Sequence, residues 1–178
     1  MRRVDGPGGG ATEVVTWSLQ MLEPAALRPR AKVSDPPLLL EARRPAPDLS
    51  RFFYELVGAQ WGWTDRSAWT HEQWLAWVAR PELHLVTAWD DGAPAGYYEL
   101  EQQSDGDVEI AYLGLVEAAT GRGLGGWLLT RALRHAWRLP GTRRVWVHTC
   151  SLDGPAALSN YEARGMERFK EAREWFVS

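Results

Sequence analysis

A glycine-rich stretch, ATGRGLGGWLLTRAL from Ala119 to Leu133, constrains the fold of this sequence more than any other feature. Glycine inside a helix costs about 1 kcal/mol relative to alanine, so these four glycines must serve the backbone rather than helix propensity. The segment before them, VEIAYLGLV, has the pattern of a strand, and the segment after them that of an amphipathic helix. A strand, a glycine loop and a helix N-terminus in this order can bind an anion, because free backbone N–H groups and the helix dipole face outward. A tight turn packed on a sheet is the alternative explanation.

Composition narrows the class of protein. The 178 residues, 45% of them hydrophobic, suit one domain with a substantial core. A net charge of −3 gives no basic field for nucleic acid, and no run of about 18 apolar residues is present to span a bilayer. The single cysteine, Cys150, excludes an intrachain disulfide and a multi-cysteine zinc site. We therefore expect a soluble, cytoplasmic protein without a metal. Eighteen of the 20 basic residues are arginine, which fits a GC-rich, bacterial genome.

Strand and helix patterns alternate along the chain. Residues 1–11 are predicted to be a flexible Gly/Pro tail, followed by one domain over residues 12–178. Seven segments have strand patterns: TEVVTWSLQML, LLLEARR, LHLVTAW, APAGYYELEQ, VEIAYLGLV, RRVWVHTC and MERFKEAREWFV. Four helices are predicted, with Asp48 as the cap of the first and a capping box of Thr70 and Gln73 on the second. This pattern predicts an α/β or α+β fold with a mixed sheet.

Two nucleotide-binding motifs do not fit the glycine loop. A Walker P-loop needs Lys-Ser or Lys-Thr after its last glycine, but Trp127 and Leu128 follow Gly126. A dinucleotide fingerprint needs G-x-G-x-x-G, and GRGLGG has its glycines at other offsets. A different phosphate-bearing ligand is therefore expected.

Two motifs resemble those of the GNAT superfamily of N-acetyltransferases. Its acetyl-coenzyme A loop reads Gln/Arg-x-x-Gly-x-Gly/Ala, and the segment from Thr120 to Gly125 matches it except at Thr120. The segment GPAALSNYEARGM is similar to the family helix Asn-Pro-x-Ala-x-x-x-Tyr-x-x-x-Gly-Phe, with Gly154 and Met166 at the Asn and Phe positions. The resemblance runs from about Leu38 to the C-terminus. It implies a mixed, mostly antiparallel central sheet flanked by helices, with an extra N-terminal strand over residues 12–22 that extends the sheet or mediates a homodimer.

The resemblance also implies a co-substrate and its site. Acetyl-coenzyme A would be bound by backbone and side-chain groups of the loop and its neighbours: Leu115, Val116, Thr120, Gly121, Arg122, Gly123, Leu124, Gly125, Gly126 and Gly154. Tyr161 occupies the position of the family's catalytic tyrosine. Its phenol, with a pKa of about 10 against about 8.5 for a thiol, would stabilise the leaving thiolate by a hydrogen bond rather than by full proton transfer.

The base that deprotonates the attacking amine has several candidates. Glu109 lies six residues before Leu115, the offset at which some family members carry a glutamate base. Glu99, Glu101 and His148 are alternatives, since a histidine pKa near 6.5 suits proton transfer at neutral pH. His148 and Cys150 could also form a nucleophilic pair, but neighbours on one face of a strand lie about 7 Å apart.

The acceptor is predicted from the segment WGWTDRSAW, which begins at Trp61. Tryptophan faces attract cations, and Asp65 could pair with an ammonium group, so a primary amine of a small molecule or peptide is the expected acceptor. Packing of these tryptophans in the core is the alternative. A coenzyme A-binding sensor or interaction module without turnover is the alternative function.

Overall fold

A computed structural model describes residues 2–4, 6, 10–30 and 33–177 of the chain. Within this part, eight strands form one sheet in the order β1-β8-β2-β7-β6-β5-β4-β3. The strands are β1 (Arg2–Val4), β2 (Thr12–Met21), β3 (Leu38–Glu41), β4 (Leu83–Asp90), β5 (Ala93–Gln102), β6 (Asp107–Leu115), β7 (Arg144–Cys150) and β8 (Glu167–Val177). The helices are α1 (Pro47–Gly58), α2 (His71–Val78), α3 (Leu124–Arg138) and α4 (Ala157–Ala163). The pairing of β6 with β7 is parallel, and the other described strand pairs are antiparallel.

The N-terminal strand lies inside the sheet. β2 pairs with β7 on one edge and with β8 on the other, so both of its hydrogen-bonding edges are used within the chain and it extends the sheet. The predicted flexible tail is wrong for its first part, because β1 pairs with the end of β8 in the register Arg2↔Val177. Positions 1, 5 and 7–9 of the predicted tail lie outside the described residues.

The helix caps follow the sequence with one exception. The capping box on α2 is confirmed, since the Gln73 N–H donates to the Thr70 hydroxyl and the Thr70 N–H donates to the Gln73 side chain. Asp48 is not the cap of α1, because the helix begins one residue earlier at Pro47. Proline suits that first position, and Asp48 in the first turn still complements the helix dipole. None of the four described helices is both long and apolar enough to cross a membrane.

Helices cover both faces of the sheet, and a bulge in β6 decides which side chains face which helix. Cross-strand partners share a face, so the pairing Leu100↔Ile110 places these residues on one face, while Glu99↔Tyr112 places the other pair on the opposite face. Ala111 is the extra residue that makes this change possible. The Leu100 face packs against α3, and the Glu99 face packs against α1 and α2.

The helix that follows the glycine loop supplies much of the core. Five of its side chains are fully buried, namely Leu128, Leu129, Ala132, Leu133 and Ala136. Trp137 is half-buried and directs its indole N–H at the sulfur of Met21 (3.2 Å). This packing fixes the N-terminus of α3 against the end of β6.

The parallel pairing between β6 and β7 is short, and this shapes the functional region. The two strands pair only over three described positions, from Asp107↔Arg144 to Glu109↔Trp146. Beyond Glu109 they diverge, although β6 continues to Leu115 and β7 to Cys150. A cleft therefore opens between the two strands beside the N-terminus of α3.

Gly165 gives a test of the packing behind this cleft. Its φ of +95° is in the left-handed region, and a Cβ there would overlap the carbonyl oxygen of Ala26. We expect Gly165→Ala to lower the free energy of unfolding by roughly 2–4 kcal/mol, from backbone strain plus overpacking. Gly141→Ala is the control, since φ is +80° there and nothing lies within 4 Å, so only the strain of about 1–2 kcal/mol remains. Urea unfolding measures both, and equal losses would contradict the role of the Ala26 contact.

Candidate active site

The cleft between β6 and β7 has a volume of about 730 Å³. Both diverging strands line it, together with the glycine loop, α4 and the segment from Trp61 to Asp65. The structure brings together eight of the predicted site residues along its wall: Leu115, Thr120, Gly121, Gly123, Gly125, Gly126, Gly154 and Tyr161. This concave surface therefore collects most of the predicted site.

Four predicted site residues do not line the cleft. Arg122 turns away and forms an ion pair with Asp90 on the surface. Leu124 and Val116 are core side chains, exposed by 1% and 7%, and Glu109 reaches the cleft only through another residue. Packing explains the positions of Val116 and Leu124, because apolar side chains beside a backbone loop are drawn into the core.

The glycine loop presents backbone donors at the start of α3. Gly123 occupies the N-cap position with a φ of +76°, a conformation that favours glycine. The N–H groups of the following residues, Leu124, Gly125 and Gly126, have no acceptor within the helix, and the helix dipole adds partial positive charge there. Thr120 is less available, since its hydroxyl donates to the carbonyl of Glu117 (2.7 Å).

Two arginines that the sequence analysis did not identify reach the same helix end. Nη2 of Arg30 lies 3.0 Å from where a Cβ of Gly123 would be, and Nη1 of Arg164 lies against the corresponding position of Gly126. Both arginines line the cleft. Burial, with the charge of Arg30, lowers the pKa of Arg164 from its ordinary value. The Nε atom of Arg164 is buried and has no hydrogen-bond partner among the described residues.

Backbone contacts position both arginines. The N–H of Arg28 donates to the carbonyl of Arg164 (3.0 Å), and the N–H of Arg30 donates to the hydroxyl of Thr130 on α3 (3.0 Å). The connection between β2 and β3 therefore crosses the ends of α3 and α4. Its sequence, rich in proline and arginine, carries no pattern that would have revealed this contact.

The backbone N–H of Leu115 points into the cleft. The next N–H, of Val116, donates to the carbonyl of Ala95 on β5 (3.0 Å). Hydrogen-bonded and non-bonded positions alternate in an antiparallel pair, so the Leu115 N–H faces the other side, where β7 has diverged. Gln60 reaches the carbonyl of Leu115 from this side (3.4 Å).

Tyr161 lies on α4 and lines the cleft with a side chain that is only 7% exposed. Burial, assisted by the negative charge of Asp153, raises the pKa of its phenol well above the ordinary value. The phenol is therefore protonated at neutral pH and can donate a hydrogen bond.

Glu109 and His148 form a pair at the point where the strands diverge. Nδ1 of His148 lies 3.2 Å from Oε1 of Glu109, whose other oxygen accepts a hydrogen bond from Gln103 (2.8 Å). His148 lines the cleft, whereas Glu109 lies behind it and is only 12% exposed. The hydrogen bond to Glu109 raises the pKa of His148 above its ordinary value, although burial opposes this.

The other two candidate bases are occupied elsewhere. Glu99 is fully buried and accepts hydrogen bonds from Ser50 (2.6 Å), Trp77 (2.8 Å) and Arg66 (3.0 Å). Glu101 forms an ion pair with Arg80. Neither glutamate lines the cleft, so neither is placed to receive a proton from a molecule bound there.

The tryptophans between residues 61 and 77 divide between the cleft and the core. Trp61 and Trp63 line the cleft. Trp69 and Trp77 instead stack on the buried guanidinium of Arg66, with ring centroids 4.6 and 3.8 Å from it. The cation that these two rings attract is therefore part of the protein itself, and of these four tryptophans Trp61 and Trp63 are the ones placed where they could contact an acceptor.

Asp65 and Cys150 also line the cleft. Asp65 accepts hydrogen bonds from the hydroxyls of Tyr54 (2.7 Å) and Tyr112, which orient its carboxylate. Burial raises the pKa of the Cys150 thiol, which disfavours a thiolate. Since Nδ1 of His148 faces Glu109 rather than the thiol, the arrangement does not favour a Cys–His nucleophilic pair.

Sequence comparison defines the class of protein. The model of the Acetyltransferase (GNAT) family matches residues 48–166, more than half of the chain, and the chain belongs to this family. A mycothiol acetyltransferase of Corynebacterium efficiens is 35% identical over 106 residues, which are 60% of this chain and 34% of that protein. The chain thus spans about a third of the length of this relative.

Solved structures confirm the expected acetyltransferase fold. A GCN5-related N-acetyltransferase from Kribbella flavida superposes with a TM-score of 0.63 at 21% identity, over 93% of this chain and 59% of that one. Another, from Sphaerobacter thermophilus, has a TM-score of 0.63 at 20% identity, over 94% and 53%. An aminoglycoside acetyltransferase from an uncultured soil metagenomic sample, in complex with trehalose, has a TM-score of 0.59 at 15% identity, over 71% and 86%.

The buried ion pair of Glu99 gives a stability test. Glu99→Gln removes the charge but keeps the shape, and it leaves the 5%-exposed guanidinium of Arg66 without its counter-charge. We expect a loss of about 3–5 kcal/mol in the free energy of unfolding. Glu101→Gln is the matched control on the same strand, and its more exposed pair should contribute less than about 1 kcal/mol. Guanidinium unfolding curves of both variants check this, and similar losses would show that burial does not matter for this pair.

Proposed function

We propose that this chain transfers an acetyl group from acetyl-coenzyme A to a primary amine of a small molecule or peptide, by direct attack in a ternary complex. One observation carries the proposal. The divergence of β6 from β7 gathers the Leu115 N–H, the Tyr161 phenol and His148 around one cleft beside the start of α3. These groups match the three needs of acetyl transfer, which are an oxyanion donor, a thiolate partner and a base.

The residues at the start of α3 fit the diphosphate of coenzyme A. A charge-assisted hydrogen bond contributes about 1.5–3 kcal/mol, so three or four backbone donors would hold a diphosphate firmly. Arg30 and Arg164 add two positive charges to the same helix end. The buried, unpartnered Nε of Arg164 supports an anionic ligand, because an unpaired buried donor is costly.

The free N–H of Leu115 is proposed to stabilise the oxygen that becomes negative during the reaction. It lies on a strand that is hydrogen-bonded to β5 on its other edge, so the donor is held in place before the reaction starts. Removing one such donor from an enzyme typically costs about 100- to 1,000-fold in kcat.

His148 is proposed as the base, with Glu109 as its positioning residue. Glu109 engages Nδ1, so Nε2 is the ring nitrogen that can accept the proton of the attacking amine. Glu109 and His148, which the sequence offers as alternative bases, thus act together in this assignment. Glu109 stabilises the imidazolium that forms, in the manner of a carboxylate–histidine pair.

Tyr161 is proposed to stabilise the departing thiolate. Its raised pKa makes full proton transfer to a thiolate more unfavourable than for an ordinary phenol, so the effect comes from a hydrogen bond. Burial strengthens such a bond because competing water is excluded.

Asp65 and Trp63 are proposed to bind the acceptor. The carboxylate of Asp65, fixed by two tyrosine hydroxyls, can pair with an ammonium group, and the neighbouring Trp63 ring can attract the same cation. The 35% identical relative is a mycothiol acetyltransferase, and this supports a small-molecule acceptor for this chain.

Release of free coenzyme A thiol distinguishes the enzyme from a coenzyme A-binding module. In the presence of a panel of primary amines, a thiol-reactive dye should report turnover by the wild type. Tyr161→Phe should lower kcat by about 100- to 10,000-fold while calorimetry shows unchanged affinity for coenzyme A. Binding without turnover for any amine would favour the module, and absence of binding would refute the site itself.

The Glu109–His148 pair predicts a characteristic pH profile. Because the base must be neutral, kcat/KM should fall as the pH drops through a His148 pKa that lies above 6.5. Glu109→Gln removes the group that raises this pKa, so the acidic limb should move to lower pH and the maximal rate should fall. Glu101→Gln is the control, since Glu101 pairs with Arg80 and should leave the limb in place. An unchanged limb in Glu109→Gln would exclude His148 as the base.

A further inference from the structure

Three potential metal ligands converge away from the cleft. Glu41, His84 and His135 each direct one ligand atom into a space where all three atoms lie within 4.8 Å of one another. None of these residues lines the cleft, so the acetyl-transfer chemistry leaves the cluster unexplained. The sequence did not predict it, because 43 positions separate Glu41 from His84 and the third ligand comes from a helix.

The sheet register explains why these side chains meet. Glu41 at the end of β3 is opposite Val86 on β4, and Val86 is opposite Tyr98 on β5. Cross-strand partners share a face, and His84 is two residues before Val86, so all four side chains lie on the face that packs against α3. The helix places His135 on this face, where its ring meets that of His84 (centroids 5.4 Å apart).

Two of the three separations between the ligand atoms are close to those of a tetrahedral metal site, and the third is no more than 4.8 Å. Oε1 of Glu41 lies 3.2 Å from Nδ1 of His84 and 3.8 Å from Nε2 of His135. With zinc–ligand bonds of about 2.0–2.2 Å, tetrahedral geometry places neighbouring ligand atoms roughly 3.3–3.6 Å apart. Small side-chain adjustments would thus bring all three atoms into zinc-binding geometry.

The outer ring nitrogens of both histidines are held by other side chains. Nε2 of His84 lies 3.1 Å from the amide oxygen of Gln102, and Nδ1 of His135 lies 3.2 Å from the hydroxyl of Tyr98. The amide nitrogen of Gln102 reaches the carbonyl of Pro140 (3.5 Å), which orients its oxygen toward His84. Metal-binding histidines commonly have their second ring nitrogen fixed in this way.

These contacts place the lone pair of a ring nitrogen against a carboxylate, and a bound cation would relieve the repulsion between them. If Nε2 of His84 donates its proton to Gln102, then Nδ1 presents a lone pair toward the carboxylate of Glu41. A lone pair facing a carboxylate is repulsive, whereas a divalent cation between them is attracted to both. A doubly protonated His84 paired with Glu41 is the competing explanation.

We propose that Glu41, His84 and His135 bind a divalent transition-metal ion of the zinc type, which clamps the edge strand β3 to α3. Imidazole and carboxylate ligands in a tetrahedral arrangement suit Zn²⁺. The side chain of Glu41 is 37% exposed, so water can complete the fourth position. The ion stabilises the fold rather than taking part in acetyl transfer, because its ligands lie outside the cleft. The ion would stabilise β3 in particular, because β3 is the last strand of the sheet and pairs only with β4 among the described strands.

Calorimetric titration of the metal-stripped full chain with zinc chloride tests the proposal. The wild type should bind one Zn²⁺ at this cluster and show a higher Tm when zinc-saturated. His84→Gln and His135→Gln should each weaken binding by at least about 10- to 100-fold, and Tyr98→Phe should weaken it less. His71→Ala is the control, because the exposed imidazole of His71 pairs with Asp48 (3.4 Å) and is not part of the cluster, so this change should leave zinc binding unchanged.

Folding of the variants is checked by circular dichroism and by coenzyme A binding at the separate cleft. If a histidine variant does not fold, Glu41→Gln at the exposed strand end replaces it. Equal zinc affinity in the wild type and in the His84→Gln/His135→Gln double variant would overturn the proposal. A wild type that shows neither zinc binding nor a zinc-dependent Tm would overturn it as well, and would favour the protonated ion pair.

Discussion

The loss of hydrogen bonding between β6 and β7 after Glu109 is the constraint on which the site depends. Three parallel pairs hold the strands together at one end, and divergence beyond them frees the backbone edge of β6 that would otherwise be paired. Two consequences follow from this single feature. It creates a cleft of about 730 Å³, and it exposes the N–H of Leu115 as a fixed donor within it. The antiparallel pairing with β5 keeps that edge rigid, because β6 is paired with β5 from Val108 to Leu115 except at the bulge of Ala111.

The second feature of the cleft is positive charge that has no ion-pair partner among the described residues. The start of α3 presents free N–H groups, and Arg30 and Arg164 add guanidinium groups to the same place. Two like charges so close together are unfavourable, and burial together with the charge of Arg30 lowers the pKa of Arg164. An anionic ligand would neutralise both arginines, and this explains why the fold can place them there. The GNAT family membership of the chain is consistent with a coenzyme A diphosphate as that ligand.

The buried charges on the sheet face that carries Glu99 are paired with each other and take no part in the proposed acetyl transfer. Glu99 is satisfied by three donors, including the guanidinium of Arg66, which two tryptophan rings cover. The same face carries Glu109 and Tyr112, because the bulge at Ala111 shifts the alternation of β6 by one residue. Of these groups, Glu109 is the one in contact with His148, the cleft residue proposed as the base.

The sequence by itself determined most of the secondary-structure elements and the family. Periodicity and turn chemistry are local, so seven of the eight described strands, the capping box of α2 and the loop before α3 were predictable, and two motifs sufficed for the family. Tertiary structure decided the contacts that depend on strand register and on segments far apart in the chain. The arrival of Arg30 at the helix end, the contact of Glu109 with His148, the split among the tryptophans and the meeting of Glu41 with two histidines all arise this way. Such contacts join residues far apart in sequence, and a shift of one residue in a strand would turn each side chain to the opposite face.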